Sequence, residues 1–527
     1  MEIWRTITVA AGLLPFVFFL SIALLRATQG AGNSRAIVDA FLAWTAVSFL
    51  SAELFGLFYS ISFFPIFGTW IVLIGLAIAQ LWKMRSRLRF DLHISNDLTM
   101  LIVAIFVLTT LFIALSAEPN NWDSQTYHLP RIEHWIQNGS IEHYPTAMAI
   151  QNAAGPLAEI MILHVRVLTG SDIFDLLIQW TSMLCALFAV FQITRQLSGT
   201  ITQSWVAVVF VATLPMGILQ STSTQNDYVT AALLCCFVTL GLQTLIDAKP
   251  RLPIGLETMA AGALCGIVKP TGYLIGAGFA IWYVVSIARR LSLRSLLGWG
   301  AAAAIILATI AGPFSARNLS TYGSIQSPVA AVTNNEIFGI KQTLDNLILN
   351  TAVNLASGDP ETDSVTTKVT LKLTSFLGLD KKRAQTTLLG TEFKMPERQF
   401  INHEDFGPNS IHTVLILLAV ALTLLTWRRS LKFPAVLFYW CAWFGGVVLF
   451  AAILKWQIYG VRLQLPFYVL AGPAVAMASD PHCRQHGLQF ITLLTVLVYG
   501  GLSALLFNAS RPLVPFGNKP SYLRQPP

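Results

Sequence analysis

Apolar segments about as long as a bilayer is thick recur along the whole 527-residue chain. About 20 residues in helical form cross a hydrocarbon core of roughly 30 Å, and a helix satisfies the backbone hydrogen bonds that lipid cannot. Only 11% of the residues are charged, whereas soluble domains carry about 25%. The sequence therefore predicts an all-α polytopic membrane protein, a bundle of about 12 to 14 transmembrane helices. The predicted spans are 7–25, 36–58, 61–82, 98–115, 173–193, 203–219, 227–246, 254–268, 272–288, 295–313, 411–427, 434–454, 463–479 and 488–507.

Lysine and arginine concentrate in the short loops on one side of the predicted membrane. These loops contain Arg26, Arg35, Lys83, Arg85, Arg87, Arg89, Arg195, Lys249, Arg251, Arg289, Arg290, Arg294, Arg428, Arg429, Lys432 and Arg484. Positively charged short loops mark the cytoplasmic side, so both termini and the longer loops are predicted to face outward. This bias explains the net charge of +8 and gives no reason to expect a nucleic-acid partner.

Two long outward segments interrupt the alternation of spans and short loops. They divide the chain into N-terminal helices at 1–97, a helical core at 98–313 that includes the first outer loop at 116–172, a large outer loop at 314–410, and C-terminal helices with an outer tail at 411–527. Both loops are predicted to carry short amphipathic helices. In the first loop, Pro130 suits the start of such a helix and Gly139 its end. The segment PLAEIMILHVRVLTG that follows is too short to span and is predicted to lie in the membrane interface.

The first outer loop concentrates reactive side chains in the stretch PNNWDSQTYHLPRIEHWIQNGSIEHYPT. Asp123, Tyr127, His128 and Arg131 lie within nine residues of one another. An aromatic belt at the bilayer rim would account for the tryptophans and tyrosines of this stretch. It does not account for a carboxylate, an imidazole and a guanidinium together, so a functional site and an interfacial belt are both open interpretations.

Further charged and polar side chains fall at the outer ends of other predicted spans. They are Asp227 in STSTQND, Lys269 in IVKPTG, Arg317 and Tyr322 in ARNLSTYGSIQSP, Glu404 in NHEDFGPNSIH and Arg462 in KWQIYGVRLQLP. Asp227 would also suit a helix N-cap, and Lys269 could extend its ammonium group to the interface. Because all six face one side of the membrane with the first loop, they indicate a site on that side.

Metal binding is an open question in the sequence. The six cysteines show no CxxC spacing, and the outer loops hold no cysteine pair, so a cysteine metal site or a disulfide is not expected. Asp123, His128 and the His-Glu-Asp run of NHED offer oxygen and imidazole ligands. They could hold a divalent metal, although their spacing matches no recognisable metal motif.

At these residues the chain resembles the GT-C superfamily of membrane glycosyltransferases, in particular the family 39-like branches that include protein O-mannosyltransferases and the lipid A aminoarabinose transferase. The resemblance covers roughly residues 98–480 and rests on WDSQTYHLPR, TQNDY, VKPTGYL, RNLSTYGS and GVRLQLPFYVL. Two features depart from the family pattern. Family members commonly have two adjacent acids in the first loop, whereas Asp123 is followed by Ser124, and this puts metal use in doubt. Three helices also precede the motif where relatives often have one.

The resemblance implies a GT-C-type bundle and an inverting transferase that moves a sugar from a polyprenyl-phosphate carrier to a protein, lipid or glycan acceptor. It implies Asp123 as the catalytic base and the bacterial plasma membrane as the location, with the active site facing outward. It implies substrate-binding roles for Tyr127, His128, Arg131, Asp227, Lys269, Arg317, Tyr322, Glu404 and Arg462. Because a phosphate leaves as an anion, the reaction needs one carboxylate to take the acceptor's proton and cations to stabilise the phosphate.

Other classes of membrane protein are alternatives. A secondary transporter places ionisable residues near the middle of the membrane, where this chain has few acids: Glu53, Asp175, Glu257 and little else. A polymerase or ligase of lipid-linked glycans and a receptor or scaffold without catalysis are further alternatives. A nucleotide-sugar enzyme is not expected, because no glycine-rich loop follows a strand.

Overall fold

The computed structural model describes residues 2–87, 98–377, 385–426, 433–479, 487–516 and 519–524. These residues form α-helices and no β-strand, so the all-α prediction is confirmed. The helices are α1 Glu2–Gly12, α2 Leu14–Thr28, α3 Asn33–Leu57, α4 Phe63–Lys83, α5 Leu98–Ser116, α6 Leu129–Asn138, α7 Ile150–Ala153, α8 Leu157–Thr169, α9 Leu177–Gln196, α10 Ile201–Ala212, α11 Pro215–Ser221, α12 Asp227–Ile246, α13 Leu252–Val268, α14 Thr271–Ala288, α15 Leu293–Tyr322, α16 Pro328–Thr333, α17 Ile340–Val353, α18 Pro360–Ser375, α19 Ser410–Thr426, α20 Phe433–Ile453, α21 Gly460–Leu463, α22 Leu465–Ala478 and α23 Gly487–Leu506.

Every predicted span coincides with an apolar helix or a bent pair of helices. By length and composition, nine helices of the described residues can cross a membrane, and counting each bent pair as one span raises the number to eleven. The bent pairs are α1 with α2 and α10 with α11. The three remaining predicted spans are the shorter apolar helices α13, α19 and α22, of 17, 17 and 14 residues. The chain is therefore an integral membrane protein. Within the described residues, nine helices, or eleven spans when each bent pair is counted, are long enough to cross a membrane, which is fewer than the 12 to 14 predicted.

The first outer loop contains the short helix that its sequence predicts. Helix α6 has Pro130 in its first turn and is followed by Gly139, whose φ of 64° lies in the left-handed region that glycine adopts without strain. A π-helical turn, Ser124–His128, precedes α6. Asp123 immediately precedes that turn, so the π-helical turn connects Asp123 directly to α6.

Helix α8 was expected in the membrane interface, and this expectation is wrong. Its residues from Leu157 to Val165 are all buried, and the helix packs against α1, α3, α4 and α6. The polar side chains that suggested a surface helix are paired inside the protein. His164 Nδ1 accepts a hydrogen bond from Trp70 Nε1 at 3.2 Å, and Arg166 lies 2.7 Å from the carboxylate of Asp175.

Arg35 and Asp39 of α3 link α2 and α13 at the end of the bundle that is predicted to face the cytoplasm. Its Nε lies 2.5 Å from Asp39 Oδ1 on α3, and its Nη2 lies 2.8 Å from Glu257 Oε2 on α13. Arg26 on α2 binds the second oxygen of Asp39 at 2.7 Å. These ion pairs attach the N-terminal helices to the core. The predicted inner-loop residues Arg89, Arg428, Arg429, Lys432 and Arg484 lie outside the described residues.

A break between α10 and α11 bends the chain by 67°. Pro215 begins α11, where its missing N–H costs no helical hydrogen bond. Between α11 and α12 the polar run Thr222–Asn226 is buried. Buried polar backbone outside helices is tolerated in a membrane protein where protein or a cavity surrounds it. This run therefore brings hydrogen-bonding groups into the interior at one end of the bundle.

Candidate functional site

Five segments meet at the end of the bundle opposite Arg35. Asp123 follows α5, Asp227 begins α12, Lys269 separates α13 from α14, Asp405 precedes α19 and Arg462 lies on α21. We call these five side chains the charge cluster. The helix termini that carry them are far apart in the chain. Ion pairs join Asp123, Arg462 and Asp405 in one set and Asp227 and Lys269 in a second, and the charges of Arg462 and Asp123 act on Lys269.

Arg462 bridges two carboxylates within the charge cluster. Its Nη1 lies 2.5 Å from Asp123 Oδ2 and donates a hydrogen bond of 2.7 Å to Asp405 Oδ1. The Tyr127 hydroxyl donates to Asp123 Oδ2 at 2.9 Å, and Gln225 Nε2 donates to Asp405 Oδ1 at 3.2 Å. The short hydrogen bonds from the Arg462 guanidinium to the two carboxylates are charge-assisted, and bonds of this kind are stronger than those between neutral groups. Asp123 is thus held by one cation and one hydroxyl in a defined position.

Asp227 and Lys269 form the second ion pair of the charge cluster. Lys269 Nζ donates to Asp227 Oδ1 at 2.7 Å, and the Asp227 side chain is 2% exposed. The N-cap position of α12 is Asn226, and among the described residues no side-chain hydrogen bond caps the helix, so Asp227 does not serve as its N-cap. Lys269 turns inward to the carboxylate, which also replaces the alternative of an ammonium group extended to the interface.

The charge of Arg462 shifts the pKa of both Asp123 and Lys269. Burial acts to raise the pKa of Asp123, but the positive charge of Arg462, aided by His128, outweighs it and the pKa is lowered. Burial lowers the pKa of Lys269; Asp227 opposes this, and the charge of Arg462 adds to the lowering. At neutral pH the site therefore contains an ionised Asp123 beside a lysine that releases its proton more readily than an exposed one.

Several buried polar atoms of the site have no hydrogen-bond partner among the described residues. They include Arg462 Nε, Asp227 Oδ2 and Gln225 Oε1. Buried polar atoms in folded proteins are almost always satisfied, so each exception calls for an explanation such as an unseen ligand or water. One free donor on Arg462 and one free acceptor on Asp227 are suited to a ligand that carries both acceptor oxygens and hydroxyl groups.

His128 and Arg131 lie behind the charge cluster and are engaged by other groups. His128 stacks near Tyr127, with 4.2 Å between ring centroids, and its Nδ1 lies 2.7 Å from Glu159 Oε1. The guanidinium of Arg131 is 3.6 Å from the same oxygen. It also donates to the carbonyl oxygens of residues 152, 154 and 155. Both side chains are fully buried, and their contacts hold the first outer loop on α8.

Arg317 and Tyr322 lie in a different group of side chains. Arg317 forms two hydrogen bonds with Glu53, of 2.8 and 2.7 Å. The Tyr322 hydroxyl donates to the carbonyl oxygen of Ala149 at 3.4 Å, and its ring lies 5.8 Å from that of His143. No contact joins this group to the charge cluster within the described residues. The belt interpretation fits Trp122, which is 76% exposed, but not the buried Trp135 and Tyr144.

Glu404 and Asp405, neighbours in the motif NHED, point to different partners. The sequence predicts a substrate-binding role for Glu404, but in the structure it is Asp405 that contacts Arg462. Glu404 is buried and binds the guanidinium of Arg511. Arg511 in turn donates to Asn120 Oδ1 at 2.8 Å. The motif itself contained the signal for Asp405, whereas Arg511 lies in a tail segment with no motif, and nothing in the sequence singled it out.

The residues considered as metal ligands do not form a ligand set. His128 faces Glu159, Glu404 faces Arg511, and Asp405 faces Arg462. Among the residues that the structure describes, no group of three or more His, Cys, Asp or Glu side chains could hold a metal ion. The carboxylates of the charge cluster pair with Arg462 and Lys269 instead.

Two hollows are lined by residues that lie close in the chain to Asp405 and Arg462. The first, which we call the loop cavity, has a volume of about 270 Å³ and lies between segment 388–400, Phe406 and Gln457–Tyr459. The second, which we call the lateral crevice, has a volume of about 80 Å³ and lies between α17, α19, α20 and α22. Trp443, Phe450 and Phe467 line the crevice, together with Gln464, two residues beyond Arg462.

The fold and the site together define a polytopic α-helical membrane protein with a buried group of paired charges at one end of its helix bundle. No protein-family model, curated protein or solved structure matches the chain. The charge cluster and its surroundings therefore carry the information about function.

Proposed function

We propose that the protein is an inverting glycosyltransferase that uses a polyprenyl-phosphate-linked sugar donor and acts at the outer face of a membrane. One observation carries the proposal. An ionised carboxylate, Asp123, lies in contact with a guanidinium, Arg462, that still has a buried donor without a partner among the described residues. A base and an anion-binding group side by side are what transfer from a phosphate carrier requires. The resemblance to GT-C enzymes at the motifs around these residues supports the same reaction.

In the proposed reaction Asp123 accepts the proton of the acceptor hydroxyl. The acceptor oxygen forms a bond to the anomeric carbon from the side opposite the phosphate, and the bond between that carbon and the phosphate oxygen breaks. The electron pair of the broken bond stays on the phosphate, which leaves as polyprenyl phosphate without needing a proton. Attack from the opposite side inverts the configuration at the anomeric carbon.

Arg462 couples donor binding to the strength of the base. In the free protein its charge lowers the pKa of Asp123 against the effect of burial. A donor phosphate that bonds to the guanidinium draws part of this charge away from the carboxylate. The effect of burial then prevails, the pKa of Asp123 rises, and the carboxylate becomes a better proton acceptor. Lys269, paired with Asp227 close by, provides the second cation for the phosphate.

The lateral crevice supports a lipid-linked donor. Its apolar walls come from α19 and α20, and Leu417 on its rim is half exposed. An isoprenoid chain in this crevice would stay in contact with the apolar helix surfaces while its phosphate approached α21. The bilayer is then both the solvent of the protein and the source of its substrate. We place the protein in a bacterial plasma membrane with the charge cluster facing outward, following the positive charge of the opposite loops.

The remaining predicted residues have supporting roles in this scheme. Tyr127 orients Asp123 through its hydroxyl, and His128 and Arg131 secure the loop behind it. Arg317 and Tyr322 would contact only a part of the acceptor or donor remote from the reacting atoms. Glu404 acts through Arg511 and not through substrate.

Secondary transport of a small polar solute or a glycolipid is the alternative, and the bend between α10 and α11 beside the site favours it. Broken helices near ionisable groups are typical of transporter binding sites. The two functions differ in their products. Purified protein supplied with a polyprenyl-phosphate sugar and a mixture of acceptors should release polyprenyl phosphate. Movement of labelled solute across sealed vesicles without such release would instead establish a transporter.

A further inference from the structure

Two segments that line the loop cavity adjoin residues of the charge cluster along the chain. Phe406 directly follows Asp405, and Gln457–Tyr459 lead into α21, which carries Arg462. The rings of Phe406 and Tyr459 lie 5.2 Å apart, and Phe400 packs on Phe406 at 5.3 Å. The cavity is therefore lined on one side by the segments that carry Asp405 and Arg462.

The cavity wall combines aromatic rings with a few hydrogen-bonding groups. Phe400, Phe406 and Tyr459 provide ring surfaces, while Lys394, Glu397 and Gln457 contribute polar ends. The Lys394 ammonium has no ion-pair or hydrogen-bond partner within the described part of the chain. A wall of this kind suits a ligand with flat C–H faces and hydroxyl edges. The C–H faces pack on the rings, and the hydroxyls accept from the ammonium and donate to the carboxylate.

The size of the cavity restricts the ligand further. Its volume of about 270 Å³ lies just below the range of about 300 to 1,000 Å³ that is typical of sites for drug-sized molecules. One six-membered ring with its substituents fits such a space. The rim includes Leu389, whose φ of 54° lies in the left-handed region that residues other than glycine seldom adopt. Strained backbone of this kind is concentrated at ligand sites.

We propose that the loop cavity binds a pyranose ring of the acceptor, so that the acceptor is a glycan or glycolipid and not a bare peptide hydroxyl. The proposal rests on the proposed function for the word acceptor, but the ring site stands on the cavity alone. The ring packs on Tyr459 and Phe406, and its hydroxyls contact Lys394 and Glu397. The hydroxyl to be glycosylated belongs to this ring or to the next sugar, and it reaches Asp123 past Asp405.

Binding is measured on the full chain in lipid nanodiscs by saturation-transfer NMR. The probes are methyl glucoside, methyl mannoside, methyl galactoside and methyl N-acetylglucosaminide, with N-acetyl-Gly-Ser-Gly amide as the peptide probe. At least one glycoside should receive saturation on its ring C–H protons. Tyr459→Ala should weaken its binding about tenfold, as expected for loss of one aromatic contact of about 1.4 kcal/mol. Lys394→Ala tests the polar edge independently and should weaken binding without touching the rings.

Phe338→Ala is the matched control, since Phe338 is an exposed ring of the large outer loop, 66% exposed, and does not line the cavity. It should leave glycoside binding unchanged. Saturation transfer to the peptide alone, to no probe, or to a glycoside equally in wild type, Tyr459→Ala and Lys394→Ala, would overturn the proposal. Asp123→Asn should still bind the glycoside. If glycosides bind but no sugar is ever transferred, the proposed function fails while the ring site stands; if transfer occurs without glycoside binding, the ring site alone fails.

Discussion

Arg462 Nη1 lies 2.5 Å from Asp123 Oδ2, so the proposed base and the proposed phosphate-binding group are ion-paired before any substrate arrives. A carboxylate in this state is ionised but weakly basic. Proton transfer from an acceptor hydroxyl then depends on first drawing Arg462 away from Asp123. This order, donor before proton transfer, has consequences that kinetics can detect.

The first prediction concerns the acid side of the pH profile. Only ionised Asp123 accepts a proton, so activity falls as the pH drops through its pKa. In the free protein Arg462 holds this pKa below its usual value near 3.8, and kcat/KM reports the free protein. In the donor complex the pKa is higher, and kcat reports that complex. The acid limb of kcat should therefore lie at higher pH than the acid limb of kcat/KM, measured as polyprenyl phosphate release. Coincident limbs would show that donor binding leaves the pair intact.

The second prediction concerns the alkaline side. Burial and the charge of Arg462 lower the pKa of Lys269 below its usual value near 10.5. Raising the pH through the lowered value removes the ammonium charge, so transfer should fall at a pH where exposed lysines are still protonated. Lys269→Arg should move this alkaline limb upward, because a guanidinium stays protonated. Lys341→Arg is the control, because Lys341 is exposed on α17 and lines neither the charge cluster nor the loop cavity, and it should leave the limb in place. An unmoved limb in Lys269→Arg would assign it to another group.

The third prediction concerns the buried pair of Glu404 and Arg511. Their side chains are 0% and 1% exposed, and removing one partner leaves the other charge buried and uncompensated. Arg511→Met should therefore lower the free energy of unfolding by about 3 to 5 kcal/mol, while the double variant with Glu404→Met should recover much of the loss. Thermal unfolding in detergent measures both. Lys455→Met breaks a pair whose partner, Glu336, is 56% exposed and should cost at most about 1 kcal/mol.

Loss of transfer in Glu404→Gln with stability unchanged would contradict this assignment. Such a result would return Glu404 to the substrate-binding role that the sequence predicts for it.

The fourth prediction concerns the close approach of Gly155 to the end of α13. A Cβ at this position would lie 2.4 Å from the carbonyl oxygen of Val268 and 2.5 Å from that of Ile267, and backbone atoms cannot move aside as side chains do. Gly155→Ala should displace Lys269, which follows Val268, and lower stability by about 1 to 3 kcal/mol. It should also reduce donor affinity. In Gly300→Ala, inside α15, the new Cβ meets no atom of the described residues within 4 Å, so this variant should be at least as stable as wild type in thermal unfolding and should match it in KM.

The sequence predicted the elements of the fold well because each is governed by local chemistry. Apolar segments long enough to need burial or lipid became helices, and Pro130 with Gly139 set the limits of α6. Helix α8 was misplaced because its hydrophobic pattern does not distinguish membrane lipid from a protein interior. Only contacts such as that of Arg166 with Asp175 make the difference, and these depend on the tertiary structure.

Most residues of the charge cluster could be chosen from the sequence, but the ion pairs that they form could not. Asp123, Asp227, Lys269 and Arg462 were all chosen from the sequence, and the structure brings them together. That Arg462 takes Asp405 as its second partner, and that Glu404 takes Arg511, follows from how α19, α21 and the tail meet. Arg317 looked equivalent to Arg462 in sequence, but Glu53 on α3 occupies its guanidinium.

The most direct test of the charge cluster as a transfer site is polyprenyl phosphate release by Asp123→Asn, measured by mass spectrometry beside wild type and with donor affinity determined on the same samples. Asparagine keeps the shape of the side chain but cannot accept the proton. The wild type should release polyprenyl phosphate and form a product with inverted anomeric configuration. The variant should bind the donor and release at least about 100-fold less, the lower range for loss of a general base. Release at the wild-type rate by Asp123→Asn would contradict the assignment of Asp123 as the base.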